Sequence, residues 1–127
     1  MKRIRAAITT GIIWAAAWGC AGGLVARVPG YDSDLPFAFL LAPFGFVTGL
    51  VFSGILMAIE GPPGVDRMSP SRFAGCGALI GLVLSAIFPY LRGNWREMLV
   101  FGPVLAVASA IAAAGSVAMA RRVARTR

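Results

Sequence analysis

The sequence contains no histidine, and its few acidic and basic residues lie outside the long apolar runs. Only 13% of the 127 residues are charged, and Asp and Glu together number five. An ionisable residue deep in a membrane segment is costly and is usually kept for function. Without such residues, proton relay, coupling to a buried carboxylate and bis-histidine haem ligation lose the side chains that they need.

Cysteine is also scarce. Cys20 and Cys76 lie in separate apolar segments and form no CxxC pair, so neither a zinc site nor a redox motif is indicated. If helices start near Ala6 and Phe73, Cys20 lies about 21 Å and Cys76 about 5 Å from its helix start. A disulfide needs Cα atoms within about 7 Å, so we expect no bridge between them.

Sequence motifs of catalysis are missing as well. The chain has no glycine-rich phosphate loop, no set of serine, histidine and aspartate, and no metal-ligand spacing. We therefore expect a protein that is not an enzyme and that binds no cofactor or metal.

Long apolar runs are what the chain has in abundance. Hydrophobic residues make up 58% of the sequence, and the mean hydropathy is +0.80. Residues 35–59 carry no charge and are long enough to cross a hydrocarbon core of about 30 Å at roughly 1.5 Å per helical residue. Residues 6–26, 73–91 and 98–120 resemble this run. We predict one polytopic membrane domain over residues 1–127, an all-α fold of four transmembrane helices in an antiparallel up-down bundle.

The first apolar run has a second interpretation. A basic start, an apolar run and the small residues Ala21, Gly22 and Gly23 are also features of a cleaved signal peptide. The length of the run and the presence of Trp14 and Trp18 favour a retained span.

The positive charges predict the orientation. The N-terminus, the loop at 60–72 and the C-terminal tail hold nine Lys and Arg residues, whereas the other two loops hold only Arg27, Arg92 and Arg96. Cytoplasmic loops are enriched in these residues, so both termini are expected in the cytoplasm of a bacterial inner membrane. The net charge of +7 is then explained by topology and by contact of the basic termini with anionic lipid headgroups. We expect no nucleic-acid binding.

Small residues recur at intervals of three and four along the apolar segments. At about 100° per residue, the small residues of the second segment fall within a sector of roughly 80° on one side of the helix. The phenylalanines lie outside this sector, and Gly45 and Gly49 form a GxxxG pair. Membrane helices associate through close backbone approach at small residues, so we predict packing on these faces. The predicted packing residues are Gly11, Ala15, Gly19, Gly22, Ala38, Ala42, Gly45, Gly49, Ser53, Ala74, Ala78, Gly81 and Ser85.

Polar residues cluster at the two ends of the predicted bundle. The candidate polar pole comprises Arg27, Asp32, Asp34, Arg92, Trp95 and Arg96 at the outer end, with Glu60 at the cytoplasmic end. Aromatic residues beside these charges are typical of an interfacial belt rather than a ligand cage.

These observations favour an accessory or partner-binding membrane subunit that assembles through small-residue helix faces, either as a homo-oligomer or with a membrane-protein partner. A small oligomeric channel or carrier is an alternative, with a path lined by Thr10, Thr48, Ser53, Ser85 and Ser109. A holin-like protein, which fits the small size and basic tail, is a further alternative.

Overall fold

The computed structural model describes residues 2–29, 37–64 and 69–125, and within these ranges every regular element is an α-helix. Helix α1 spans Lys2–Val25, α2 spans Phe37–Gly64, α3 spans Pro70–Arg92 and α4 spans Arg96–Arg125. The predicted all-α class is confirmed. The turn predicted between the first two segments lies almost wholly outside the described residues.

Within the described ranges, three helices are long and apolar enough to cross a membrane. These stretches are Ile4–Val25 in α1, Pro70–Leu91 in α3 and Arg96–Met119 in α4. The corresponding stretch of α2 among the described residues, Phe39–Ile55, is shorter. Three candidate spans indicate a membrane protein, while the fourth span stays a prediction.

Helix α3 begins earlier than the apolar pattern predicts. Ser69 is its N-cap, and the Ser69 side chain accepts a hydrogen bond from the backbone N–H of Arg72 at 3.4 Å. Pro70 occupies the first helical position, where a missing N–H costs nothing. At the preceding end, α2 continues to Gly64, so the predicted loop at 60–72 is shorter than expected and Glu60 lies within a helix.

A glycine ends α3. Gly93 adopts a left-handed conformation with φ of 69°, and its backbone N–H donates to the carbonyl of Pro89. Asn94 N–H donates to the same carbonyl at 3.2 Å. Helix α3 therefore runs through Pro89 to Arg92, and only residues 93–95 separate it from α4. Such a short connection makes α3 and α4 neighbours.

Three helix pairs pack against one another: α1 with α2, α3 with α4, and α1 with α4. Between the described parts of α2 and α3 no close backbone approach occurs. The buried core lies where the three packed pairs meet. Its largest buried side chains are Trp14, Trp18, Phe73, Phe101, Leu41 and Leu105.

Candidate functional site

Two glycines of α2 let its backbone lie directly against α1. A Cβ on Gly45 would lie 2.6 Å from the backbone oxygen of Trp14. A Cβ on Gly49 would lie 2.8 Å from the Trp14 Cβ and 2.9 Å from the Cα of Gly11. Real Cβ atoms do not come this close to other atoms, so the interface requires glycine at both positions.

Helices α1 and α2 form a first hairpin, and α3 and α4 form a second one that is packed in the same way. In the second hairpin the glycines lie on its first helix, α3, instead of on its second. Cβ atoms on Gly77 and Gly81 of α3 would each lie 2.5 Å from a backbone oxygen of α4, those of Ser109 and Leu105 respectively. In each hairpin, glycines of one helix, α2 or α3, therefore lie against the backbone of the other, α1 or α4. Helix α1 adds Gly11, where a Cβ would lie 2.9 Å from the Phe46 ring of α2. Gly77 was not among the predicted packing residues.

A hydrogen bond joins the two hairpins through the core. The indole N–H of Trp18 on α1 donates to the hydroxyl oxygen of Ser109 on α4 at 3.0 Å, and both side chains are buried. A Cβ on Gly81 would meet the same hydroxyl at 2.7 Å. Residues of α1, α3 and α4 thus meet at the buried hydroxyl of Ser109.

Aromatic rings extend the core from α1 toward α3. The Trp14 ring, fully buried, lies 5.1 Å from that of Phe52, and Phe52 meets Phe73 edge-on at 6.3 Å. The indole nitrogen of Trp14 has no hydrogen-bond partner among the described residues. The indole N–H of Trp18 is therefore hydrogen-bonded, whereas that of Trp14 has no partner in the part of the chain that the structure describes.

The structure places the predicted packing residues at different depths. Those that are buried are Gly11, Gly22, Gly45, Gly49, Ser53, Gly81 and Ser85. Those that are half-buried are Ala15, Gly19, Ala42, Ala74 and Ala78. The side chain of Ala38 lies outside the described ones. On α1 the buried positions are 11, 14, 18, 21, 22 and 25, so the observed face is turned toward the tryptophans relative to the predicted stripe.

Two apolar grooves run along the outside of the bundle. The α1–α4 groove has a volume of about 490 Å³ and is lined by Ala17, Cys20, Ala21, Leu24, Pro103, Val104, Val107, Ala108 and Ile111. The α2–α3 groove has a volume of about 410 Å³ and is lined by Val47, Thr48, Val51, Phe52, Ile55, Leu79, Ile80, Val83 and Leu84. The second groove lies on the side where the α2 and α3 backbones do not meet. Both cysteines are free and exposed.

The outer part of the candidate polar pole is solvent-facing where it is described. Arg27, Trp95 and Arg96 are exposed, and the Trp95 ring meets Tyr90 edge-on at 6.5 Å. Asn94 Nδ2 donates to Glu97 Oε1 at 3.4 Å. Asp32 and Asp34 lie outside the described residues, as do the side chains of Glu60 and Arg92. Across the ranges that the structure covers, no group of three or more metal-ligating side chains is found.

Of the five hydroxyl groups of the predicted transport path, four are hydrogen-bonded within the described part of the chain. Thr10 and Thr48 donate to the carbonyls of Ala6 and Phe44, four residues earlier in their own helices. Ser85 donates to the Leu82 carbonyl at 2.7 Å. Ser109 accepts from Trp18. These four hydroxyls stabilise helices and the core, and neither groove is lined by a row of them.

No family model, no characterised protein and no solved structure matches this chain. The site must therefore be interpreted from its own residues. They form two glycine-packed hairpins that meet through α1 and α4, where Trp18 donates to Ser109. Between α2 and α3, the rings of Phe52 and Phe73 meet, but the described backbones do not approach closely.

Proposed function

We propose that this chain is a non-catalytic bacterial inner-membrane protein that acts as an accessory subunit, with a transmembrane helix of a second copy or of a partner docking against α2 and α3. The open α2–α3 side carries the proposal. The described helices pack in three of the four adjacent pairs of a bundle, and the remaining pair leaves an apolar groove of about 410 Å³.

The lining of the α2–α3 groove suits a helix as its occupant. Val47, Val51, Leu79 and Val83 present branched aliphatic surface. An unfilled groove forfeits dispersion contacts along its walls. Gly75 and Cys76 on α3 are exposed one turn from Leu79, and a Cβ on Gly75 would meet nothing within 4 Å. Small exposed residues beside such a groove permit close backbone approach by another helix.

The two native cysteines test this docking surface directly. Cys76 lies one helical turn before Leu79 and Ile80, which line the α2–α3 groove. Cys20 lines the α1–α4 groove. In native membranes treated with a short bis-maleimide, we expect a crosslinked product from wild type and from Cys20→Ser, and none from Cys76→Ser. A photoreactive residue at Val83 should crosslink on the same face, whereas one at Ile12, which is exposed on α1, should not. Absence of adducts at both Cys76 and Val83 would contradict the proposal.

We further propose that the four helices alternate in direction, with both termini cytoplasmic. The order of contacts supports this arrangement. Along α1, Gly11 meets Gly49 and Trp18 meets Gly45, so residue numbers rise in one helix as they fall in the other. The α3–α4 contacts run likewise, with Gly77 at Ser109 and Gly81 at Leu105.

Reporter fusions test the orientation. A green fluorescent protein fused after Arg127 should fluoresce, and alkaline phosphatase at the same position should be inactive, because nine Lys and Arg residues lie on that side against three on the other. Fusions placed after Gly93 should give the opposite pair of signals. An active phosphatase after Arg127 would overturn the proposed topology.

A further inference from the structure

The α1–α4 groove has two exposed arginines, Arg27 and Arg96, beyond one of its ends. Its lining residues on α1 are spaced from Ala17 to Leu24, and those on α4 from Ile111 to Pro103. At about 1.5 Å per residue, the groove follows each helix for roughly 11 Å. At the inner end the two helices close together, since a Cβ on Gly115 would lie 3.9 Å from Ile13. The end of the groove that lies away from this contact is the one nearer Arg27 and Arg96.

Arg27 follows Leu24, the last residue of α1 that lines the α1–α4 groove, by three positions. The last turn after α1 is of the 3₁₀ type, because the Arg27 N–H donates to the Leu24 carbonyl at 3.1 Å. In a 3₁₀ turn, side chains three residues apart eclipse one another. The exposed Arg27 side chain therefore leaves the helix on the same side as Leu24, a lining residue.

Arg96 has the same relation to the other wall. It precedes Pro103 by seven residues in one continuous helix, and seven residues make almost two full turns. Arg96 therefore lies on the face of α4 that bears Pro103, roughly 10 Å farther out. Leu99, between them, is exposed over 78% of its surface. The α1 wall thus ends at the exposed Arg27 just beyond Leu24, and the α4 wall continues past Leu99 to the exposed Arg96.

Glu97 is the one acidic side chain among the described residues at this end. It is half-buried, and its Oε1 accepts a hydrogen bond from Asn94 in the turn between α3 and α4. Among the described residues at this end, two exposed arginines therefore accompany one carboxylate that is already hydrogen-bonded; Asp32 and Asp34 lie outside the described residues.

We propose that the α1–α4 groove holds one acyl chain of an anionic phospholipid whose phosphate lies between Arg27 and Arg96. An acyl chain fills an apolar groove whose lower end is closed by Ile13, and the two cations are complementary to a headgroup at the membrane surface. Each arginine near an anionic headgroup contributes to affinity, and guanidinium groups bind phosphate oxygens with paired hydrogen bonds. This lipid site is independent of the docking surface on α2 and α3.

Native mass spectrometry of the full chain in mild detergent tests this proposal. With equal amounts of dipalmitoyl phosphatidylglycerol and dipalmitoyl phosphatidylcholine, wild type should retain one phosphatidylglycerol with a preference of roughly thirtyfold, as expected of two arginines. The double variant R27Q/R96Q should retain both lipids about equally. Both positions are exposed, so the variant keeps the fold.

Matched variants separate this site from general charge and from the apolar surface. R5Q/R72Q removes two exposed arginines from the opposite end and should keep the preference. Cys20→Trp, which fills the groove, should abolish retention, while Cys76→Trp should not. Val107→Trp fills the groove from the other wall if Cys20→Trp fails to fold. Any of three results overturns the proposal. The preference for phosphatidylglycerol survives in R27Q/R96Q, or it falls by the same amount in R5Q/R72Q. The third is that both groove-filling variants still retain the lipid.

Discussion

Replacing Gly45 or Gly81 with alanine should lower the free energy of unfolding by about 3 kcal/mol, the upper end of the range for overpacked cores. The added methyl groups would lie 2.6 Å from the Trp14 oxygen and 2.5 Å from the Leu105 oxygen. These are backbone atoms, so no side-chain rotation relieves the clash and the paired helices must move apart. Titration of the protein in mild detergent with sodium dodecyl sulfate, followed by circular dichroism, measures the loss.

Glycines on the outside of the same helices provide the control. A Cβ on Gly54 of α2 or Gly75 of α3 meets nothing within 4 Å. Alanine is favoured over glycine in a helix interior by roughly 0.5–1 kcal/mol. Gly54→Ala and Gly75→Ala should therefore be neutral or stabilising. If all four substitutions have the same effect, the loss at Gly45 and Gly81 does not arise from interhelical contact.

The contrast between inner and outer glycines shows what the sequence can predict about this fold. The length and apolarity of the runs predict helices because every backbone group in lipid must be bonded within the chain. They do not predict which side of a helix faces its neighbour. In water the buried side of a helix is the apolar one, but in lipid both sides are apolar. Gly54 and Gly49 look alike in the sequence, and only the second is buried.

The first helix shows the consequence. Its small residues predict a packing face through Ala15 and Gly19, yet the structure buries Trp14 and Trp18 fully and those two only in part. The reason is complementarity: Gly45 and Gly49 of α2 lie against Trp14 and Trp18 of α1, and Gly11 of α1 lies against Phe46 of α2. A tryptophan opposite GxxxG was the available signal. The residue pattern of one helix alone cannot show which side is packed, because the packed side depends on the residues of both helices.

The ends of helix α3 are indicated by capping residues in the sequence more accurately than by the limits of the apolar run. Ser69 followed by Pro70 is a cap and first-turn pair that places the start of α3 three residues before the predicted Phe73. Gly93 likewise marks the end of that helix through its positive φ. The association of α1 with α4, by contrast, depends on side chains 91 positions apart, as in the bond between Trp18 and Ser109. No local signal predicts that pairing.

The two buried tryptophans should respond differently to the same substitution. Trp18→Phe removes ring volume and a hydrogen bond to Ser109, and leaves that hydroxyl without its donor. We expect a loss of about 2–4 kcal/mol, part from the smaller ring and part from the lost bond. Trp14→Phe removes the same volume together with an indole N–H that has no partner among the described residues. Because an unpaired buried donor costs about 1–3 kcal/mol, we expect a change near zero.

A double-mutant cycle isolates the bond between Trp18 and Ser109 from the change in volume. Ser109→Ala should destabilise wild type by about 1–2 kcal/mol, since it leaves the Trp18 N–H unpaired in the core. In the Trp18→Phe background the same change should have little effect, giving a coupling of about 1 kcal/mol, in the range measured for bonds between membrane helices. The Trp14→Phe background should leave the effect of Ser109→Ala unchanged. Equal losses for Trp14→Phe and Trp18→Phe, or no coupling in the cycle, would show that this bond does not hold the two hairpins together.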